Sequence, residues 1–294
     1  MRNSLMVGYL QSWSPEITFT QAAEKGYTAI VMAFGTIERT NVSIFNGVFA
    51  ASPTTEALKN DIKNAKSKGA KQILFSVGGA NNTYNPNAAP VKGLAKAIVK
   101  FLKEFGFTGI DFDLEIDTDG DYLDQLCAEI KALDSTLLIT AAPQINQADH
   151  GSDLFLVSTG NSQIYNKAIK NKRFDYLFIQ AYNNQWPKVN GFTELDVAFI
   201  SAAFNNLLKS IPIGILIAIG EPANINAAGE ISVFHGLDAG KDIYKKMAAE
   251  YKLIHNDEQF GGAMTWSINQ DAETGYLFVD TMKNVIKQEI SIEN

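Results

Sequence analysis

The chain has 294 residues, 46% of them hydrophobic, and a formal net charge of −7, which is enough apolar material for one large domain or two ordinary ones. Acids and bases are interspersed along it, which argues against a nucleic-acid partner, because phosphate binding calls for clustered Lys and Arg. No apolar run approaches the roughly 20 residues of a membrane-spanning helix, and Cys127, the sole cysteine, rules out an intrachain disulfide and a cysteine-based metal site.

Taken in chain order, the opening MRNSLMVGYLQSW has one Arg and then a short apolar run broken by Gly8. It lacks a small-residue cleavage site, so residues 5–10 read as a first β-strand rather than a secretory leader. Further short apolar or β-branched runs at 28–34, 72–77, 109–115, 136–142, 176–181, 213–219 and 262–266 read as strands. Helical patterns at 19–25, 55–68, 91–105, 122–133, 162–171, 194–210, 240–255 and 275–288 alternate with them. Cys127 falls on the fourth helix as a small apolar packing residue. His150, His235 and His255 show no metal-like spacing and read as surface or loop residues. Strict alternation over eight units suggests an α/β fold with a closed parallel sheet, the TIM (β/α)8 barrel, filling residues 1–294 as a single domain. The alternative, an open doubly wound sheet, lacks the G-x-G-x-x-G turn after its first strand.

Sites in such barrels form at the C-terminal ends of the strands. That rim collects Ser76 to Gly79, Glu115, Gln180, Tyr182, Asn183 and Trp266. The stretch FTGIDFDLEID holds its sharpest signal. Ile110, Phe112 and Leu114 alternate with Asp111, Asp113 and Glu115, so a strand turns three carboxylates to one face. Closely spaced acids in a partly dehydrated place cannot all stay ionised, and at least one pKa rises. A raised carboxyl is what a general acid needs near neutral pH. Glu115, the outermost, is placed to reach a substrate, with Asp113 and then Asp111 deeper. The competing reading is a set of buried acids paired with Lys or Arg from elsewhere, since the strand and its flanks supply none. An EF-hand is excluded, because neither the register from Asp111 nor that from Asp117 has Gly sixth and Glu twelfth.

These residues resemble glycoside hydrolase family 18, the chitinases and related endo-N-acetylglucosaminidases. Asp111, Asp113 and Glu115 match the last three acids of the D-x-x-D-x-D-x-E signature, with Thr108 standing where the first would be. Gly8-Tyr9 with Trp13 resembles the family's first strand, Ala33-Phe34 its second and Ser76-Val77-Gly78-Gly79 its third. Ala142-Pro143-Gln144 resembles the fifth, Gln180-Ala181-Tyr182-Asn183 the sixth and Trp266 the eighth.

The resemblance implies substrate-assisted catalysis with retention, one of the exceptions to the two-carboxylate scheme. Glu115 would be the acid and then the base. Asp113 would orient the acetamido group, Asp111 would modulate Asp113, and Tyr182 would hydrogen-bond the acetamido oxygen. Trp266 would form the floor beneath the sugar. Gln180, Asn183, Tyr9, Phe34, Gly79 and Gln144 would complete the substrate-binding set. Trp186 is either a loop anchor or a second stacking surface. Ser76, Gly78 and Gly79 read as letting the chain turn closely below the site, and Thr108 as structural. The resemblance also implies cis peptide bonds at Ala33–Phe34 and Trp266–Ser267.

The implied substrate is chitin or an N-acetylglucosamine oligosaccharide, acted on by a monomer with no cofactor, no metal, no nucleic acid and no membrane partner. An N-glycan-directed endo-β-N-acetylglucosaminidase is the alternative. A binding barrel without activity is a further one, against which the presence of Glu115 argues. An extracellular substrate is implied, although residues 5–10 read as a strand. The span from Gly220 to Gly261 has room for a loop and one helix, so an open, shallow cleft and internal cuts are expected.

Overall fold

The computed structural model describes residues 4–149 and 151–286. His150 and the last two positions of the expected eighth helix therefore lie outside the described residues. Strands Leu5–Gln11, Ala29–Glu38, Gln72–Gly78, Gly109–Asp113, Leu138–Ala141, Tyr176–Gln180, Leu216–Pro222 and Phe260–Trp266 pair in parallel, each with the next. The eighth also pairs with the first, through Leu5 and Gly262, and closes the barrel. These are strands one to eight below.

Alternation along each strand sorts side chains into two layers. Val7, Val31, Leu74, Phe178, Ala218 and Met264 fill the barrel's interior. Ile30, Ile73, Ile110, Phe112, Ile179 and Ile217 face outward against the helices. The helix Val91–Phe105 shows why the outer layer forms. Leu94, Ala95, Ile98, Val99 and Leu102 fall on one stripe and are buried, and Gly106 ends the helix with a left-handed φ of +85°. Cys127 is buried on the helix Gly120–Leu133, as expected. No helix among the described residues is long and apolar enough to cross a membrane.

Several boundaries differ from the sequence reading for local reasons. Strand seven starts at Leu216 rather than 213, because Gly214 turns with φ +103° and leaves Ile213 67% exposed. The sixth helix shortens to Phe199–Leu207, since the Thr193 backbone and hydroxyl both donate to Asp196 in a turn that directs Glu194 inward. The fifth shortens to Asn166–Lys170, and the seventh runs Ile243–Ile254. The eighth helix starts at Leu277 rather than 275, because Gly275 and Tyr276 adopt positive φ, and a short helix that was not expected, Ile268–Glu273, precedes it. Short antiparallel additions at the rim, Asn41–Ile44 on strand two and the pair Gln144–Gln147 with Leu154–Val157, were not expected.

Candidate active site

Parallel register assembles the acid relay. Ser76, Asp111 and Thr140 are direct partners across strands three, four and five. Their side chains therefore leave the sheet on the same face, into the barrel. The Ser76 hydroxyl donates to Asp111 Oδ2 at 2.7 Å and Thr140 to Oδ1 at 2.5 Å. Tyr9 reaches across from strand one to donate to Oδ2 at 3.0 Å. Asp111 is fully buried, and burial pushes its carboxyl above the usual range, while the three hydroxyls pull it back. Those donors favour its ionised form.

Asp113, one alternation up, is 5% exposed and accepts from Gln180 Nε2 at 3.0 Å. Gln180 is held in place because the same amide donates to Ala142 O at 2.9 Å. Burial, then Glu115, then Asp111 push the Asp113 carboxyl well above its ordinary value. Glu115 is half-buried, and burial raises its pKa too. It stands two residues beyond the last ladder residue rather than at the strand's end. The reason is Tyr165, whose buried hydroxyl accepts the Leu114 N–H at 2.8 Å and lies 3.1 Å from Phe112 O. A side chain thus replaces the neighbouring strand where Glu115 leaves the sheet.

Two glycines make the approach possible. A Cβ on Gly78, at φ +117°, would meet Asp113 O at 1.9 Å. On Gly79, at φ +65°, it would meet the Phe34 ring at 2.5 Å, and the Gly79 N–H donates to Asp113 O at 2.6 Å. The peptide bonds Ala33–Phe34 and Trp266–Ser267 are both cis.

Above this relay lies a cleft of about 270 Å³. Asp113, Glu115, Gln180, Tyr182, Asn183, Gln144, Phe34 and Trp266 all line it. The rings of Phe34 and Trp266 stack with centroids 5.9 Å apart. Tyr182 is 6% exposed, and burial followed by the charges of Asp113 and Glu115 holds its hydroxyl well above the usual phenol range. It remains a donor. Asn183 Oδ1 takes the Gly229 N–H at 2.7 Å, which leaves its amide nitrogen for the cleft. Tyr9, Gly79 and Asp111 stand behind the wall rather than on it: Tyr9 is 2% exposed with its hydroxyl committed to Asp111. Trp186, 61% exposed, lies outside the cleft lining on its loop. Trp13, Ala80, Asn81 and Ala227 line the cleft and were not singled out as site residues. Trp13 was legible as an aromatic just past strand one, and its ring stacks on Phe34 at 6.4 Å. Thr108 lies at the far end of strand four, where its hydroxyl accepts the Ile73 N–H at 2.9 Å and sits 3.2 Å from Ile73 O. Among the described residues, no three His, Cys, Asp or Glu gather to hold a metal ion.

The arrangement can hold a proton at Glu115, offer a hydrogen-bonding carboxyl at Asp113, and donate from Tyr182 above an aromatic floor. A family model for glycosyl hydrolases family 18 matches residues 5–206. The chain is 27% identical to an acidic endochitinase of Phaseolus angularis, covering 74% of this chain and 67% of that one. It is 26% identical to endochitinase 4 of Metarhizium robertsii, over 92% and 81% respectively. A family GH18 chitinase structure from Chromobacterium violaceum superposes with a TM-score of 0.78 at 22% identity, covering 97% of this chain and 84% of that one.

Proposed function

The chain belongs to family 18 of the glycosyl hydrolases, and from that premise we propose that it is an endo-acting chitinase using substrate-assisted, retaining catalysis on β-1,4-linked N-acetylglucosamine. In this reading the Glu115 carboxyl gives its proton to the glycosidic oxygen as the C1–O bond breaks. The substrate's acetamido oxygen attacks C1, forming an oxazolinium-like ring. Asp113 accepts from the acetamido N–H, and Tyr182 donates to the acetamido oxygen. Water then attacks C1 from the side the leaving group vacated, the C1–O bond to the acetamido oxygen breaks to restore the acetamido group, and the water's proton goes to Glu115, so the anomeric configuration is kept. Trp266, with Phe34 stacked on it, forms the floor under the sugar.

The observation that carries this reading is the environment of Asp113. It is the only other acid lining the cleft among the described residues, and burial, Glu115 and Asp111 all favour its neutral form. A carboxyl biased toward protonation is a poor nucleophile and a good partner for an amide. The nucleophile then falls to the substrate. The connection between strands seven and eight contains one helix, Ile243–Ile254, and contributes Ala227 to the cleft lining. That short connection supports cuts within a chain.

A panel of chitin oligomers, N-deacetylated oligomers and high-mannose glycopeptides tests the proposal. Only the acetylated oligomers should be cleaved, and a thiazoline mimic of the cyclised intermediate should compete with them. Preferred cleavage of the glycopeptide would replace chitin with the N-glycan core. A covalent sugar ester on Asp113 would overturn the mechanism.

A further inference from the structure

Two carboxyl groups that the proposed reaction does not touch lie behind the segment carrying Tyr182. Glu221 is the penultimate residue of strand seven and Glu194 precedes the helix Phe199–Leu207; each is only 1% exposed. Glu194 Oε2 accepts the Asn184 N–H at 2.7 Å, but its Oε1 has no donor, and neither has Glu221 Oε2. Both orphan atoms are shut off from solvent. No salt bridge reaches either residue among the described residues. The charge of Glu194 acts on Glu221, and both act on Tyr182. The other titratable group facing Glu221 is Tyr251, from the helix Ile243–Ile254, and its hydroxyl is committed to Ile219 O at 2.8 Å.

A buried carboxylate oxygen without a donor is costly, and two neighbouring charges are costlier still. One proton removes both faults. A neutral carboxyl has an O–H to give, and its partner has an empty oxygen to receive it. We propose that Glu194 and Glu221 share a single proton through a hydrogen bond between their orphan oxygens, and that the pair is a positioning device for Tyr182. The backbone on either side of that tyrosine hangs from this joint. Ala181 N–H donates to Gly220 O at 3.0 Å, one residue before Glu221, and Asn184 N–H donates to Glu194 itself. Asn183 N–H is fixed to Ile231 O at 2.7 Å. Burial holds both carboxyls well above the ordinary range, with Glu194 adding to the effect on Glu221, so the proton is kept at neutral pH. Rising pH removes it, sets two charges against each other in a dry place, and displaces the loop.

The role of Tyr182 rests on the proposed function, whereas the shared proton does not, and the test separates the two. Infrared difference spectra of wild type against Glu221→Gln, Glu194→Gln and the double variant need no substrate. Each single variant should lose one protonated-carboxyl C=O band, and the double variant should lose no more. A difference containing only carboxylate bands, or two bands lost in the double variant, would overturn the shared proton. In kinetics, Glu221→Gln keeps a donor opposite Glu194 and should hold kcat within about threefold. Glu221→Leu should lower kcat about ten- to a hundredfold, the range of one unsatisfied buried group, with KM little changed. Melting temperatures of both variants show that each is folded. A folded Leu variant with wild-type kcat would refute the positioning role. A wild-type protein that cleaves no acetylated oligomer would count against the proposed function, while the infrared result would still decide the proton pair.

Discussion

Thr140→Val removes the sole donor to Asp111 Oδ1 among the described residues while keeping the side chain's shape. Thr140 is fully buried and its hydroxyl sits 2.5 Å from that oxygen, whereas Oδ2 keeps both Ser76 and Tyr9. A hydrogen bond to a charged acceptor contributes about 1.5–3 kcal/mol. Since one pH unit corresponds to 1.36 kcal/mol, the loss should move Asp111 upward by about one to two units. In the proposed reaction Asp111 is ionised while Asp113 is neutral, so that a negative charge lies beneath the forming oxazolinium. Protonation of Asp111 removes that charge, and the acidic limb of kcat should therefore shift to higher pH by the same amount. The assay is a pH–rate profile on one chitin oligomer, with Ser76→Ala beside it. Ser76→Ala leaves Tyr9 on Oδ2 and should shift the limb less. An unmoved limb in Thr140→Val, in a protein that folds normally, would refute the idea that the ionisation of Asp111 supports the reaction.

Other expectations follow from the same geometry. Trp266→Ala removes the larger ring of the stacked pair, and an anchor of this kind is worth about 2 kcal/mol or more in binding, so KM for a chitin oligomer should rise some thirtyfold; an unchanged KM would remove Trp266 from the floor. Asp113 is raised well above its unfolded value by burial, Glu115 and Asp111. A carboxyl raised on folding leaves the fold most stable below the unfolded pKa, and that stability is lost as pH rises toward the folded one. Asp113→Asn should therefore melt higher than wild type at neutral pH, with the gap closing toward about pH 4; calorimetry across pH reads this directly, and a constant gap would contradict it. Thr108→Asp breaks the pairing with Ile73 and places a charge about 23 Å of strand from Glu115, so melting temperature should fall while kcat stays within about twofold; a many-fold gain in kcat would mean that the missing first acid matters.

The barrel was legible because its strands announce their two faces. Ile110, Phe112 and Leu114 against Asp111 and Asp113 could be read without a structure, and the relay follows from that alternation plus parallel register. Register itself was not readable, so nothing marked Thr140 as the neighbour of Asp111, and Ser76 read as part of a turn. Tyr9 entered the substrate-binding set only through the resemblance, and its hydroxyl is spent on Asp111. Trp186, read as either a loop anchor or a second stacking surface, sits on an exposed loop outside the cleft lining. Glu194 and Glu221 gave no signal, since a single acid in an apolar run has no periodicity and its burial depends on loops folding back over it. Helix ends failed where turn chemistry overrode the pattern, as at Thr193–Asp196 and Gly275–Tyr276.

The central claim is that the half-buried carboxyl of Glu115, its pKa raised by burial, moves the proton at the glycosidic oxygen and returns as base for water. Glu115→Gln keeps the shape and removes the proton. Single-turnover cleavage of one chitin oligomer by this variant, compared with wild type at the same pH, measures the claim directly. General acid–base catalysis contributes roughly 10²–10⁴ in rate, and because one residue serves both steps the loss should reach about 10⁴ or more, with oligomer binding retained. Cleavage within about tenfold of wild type would contradict the account.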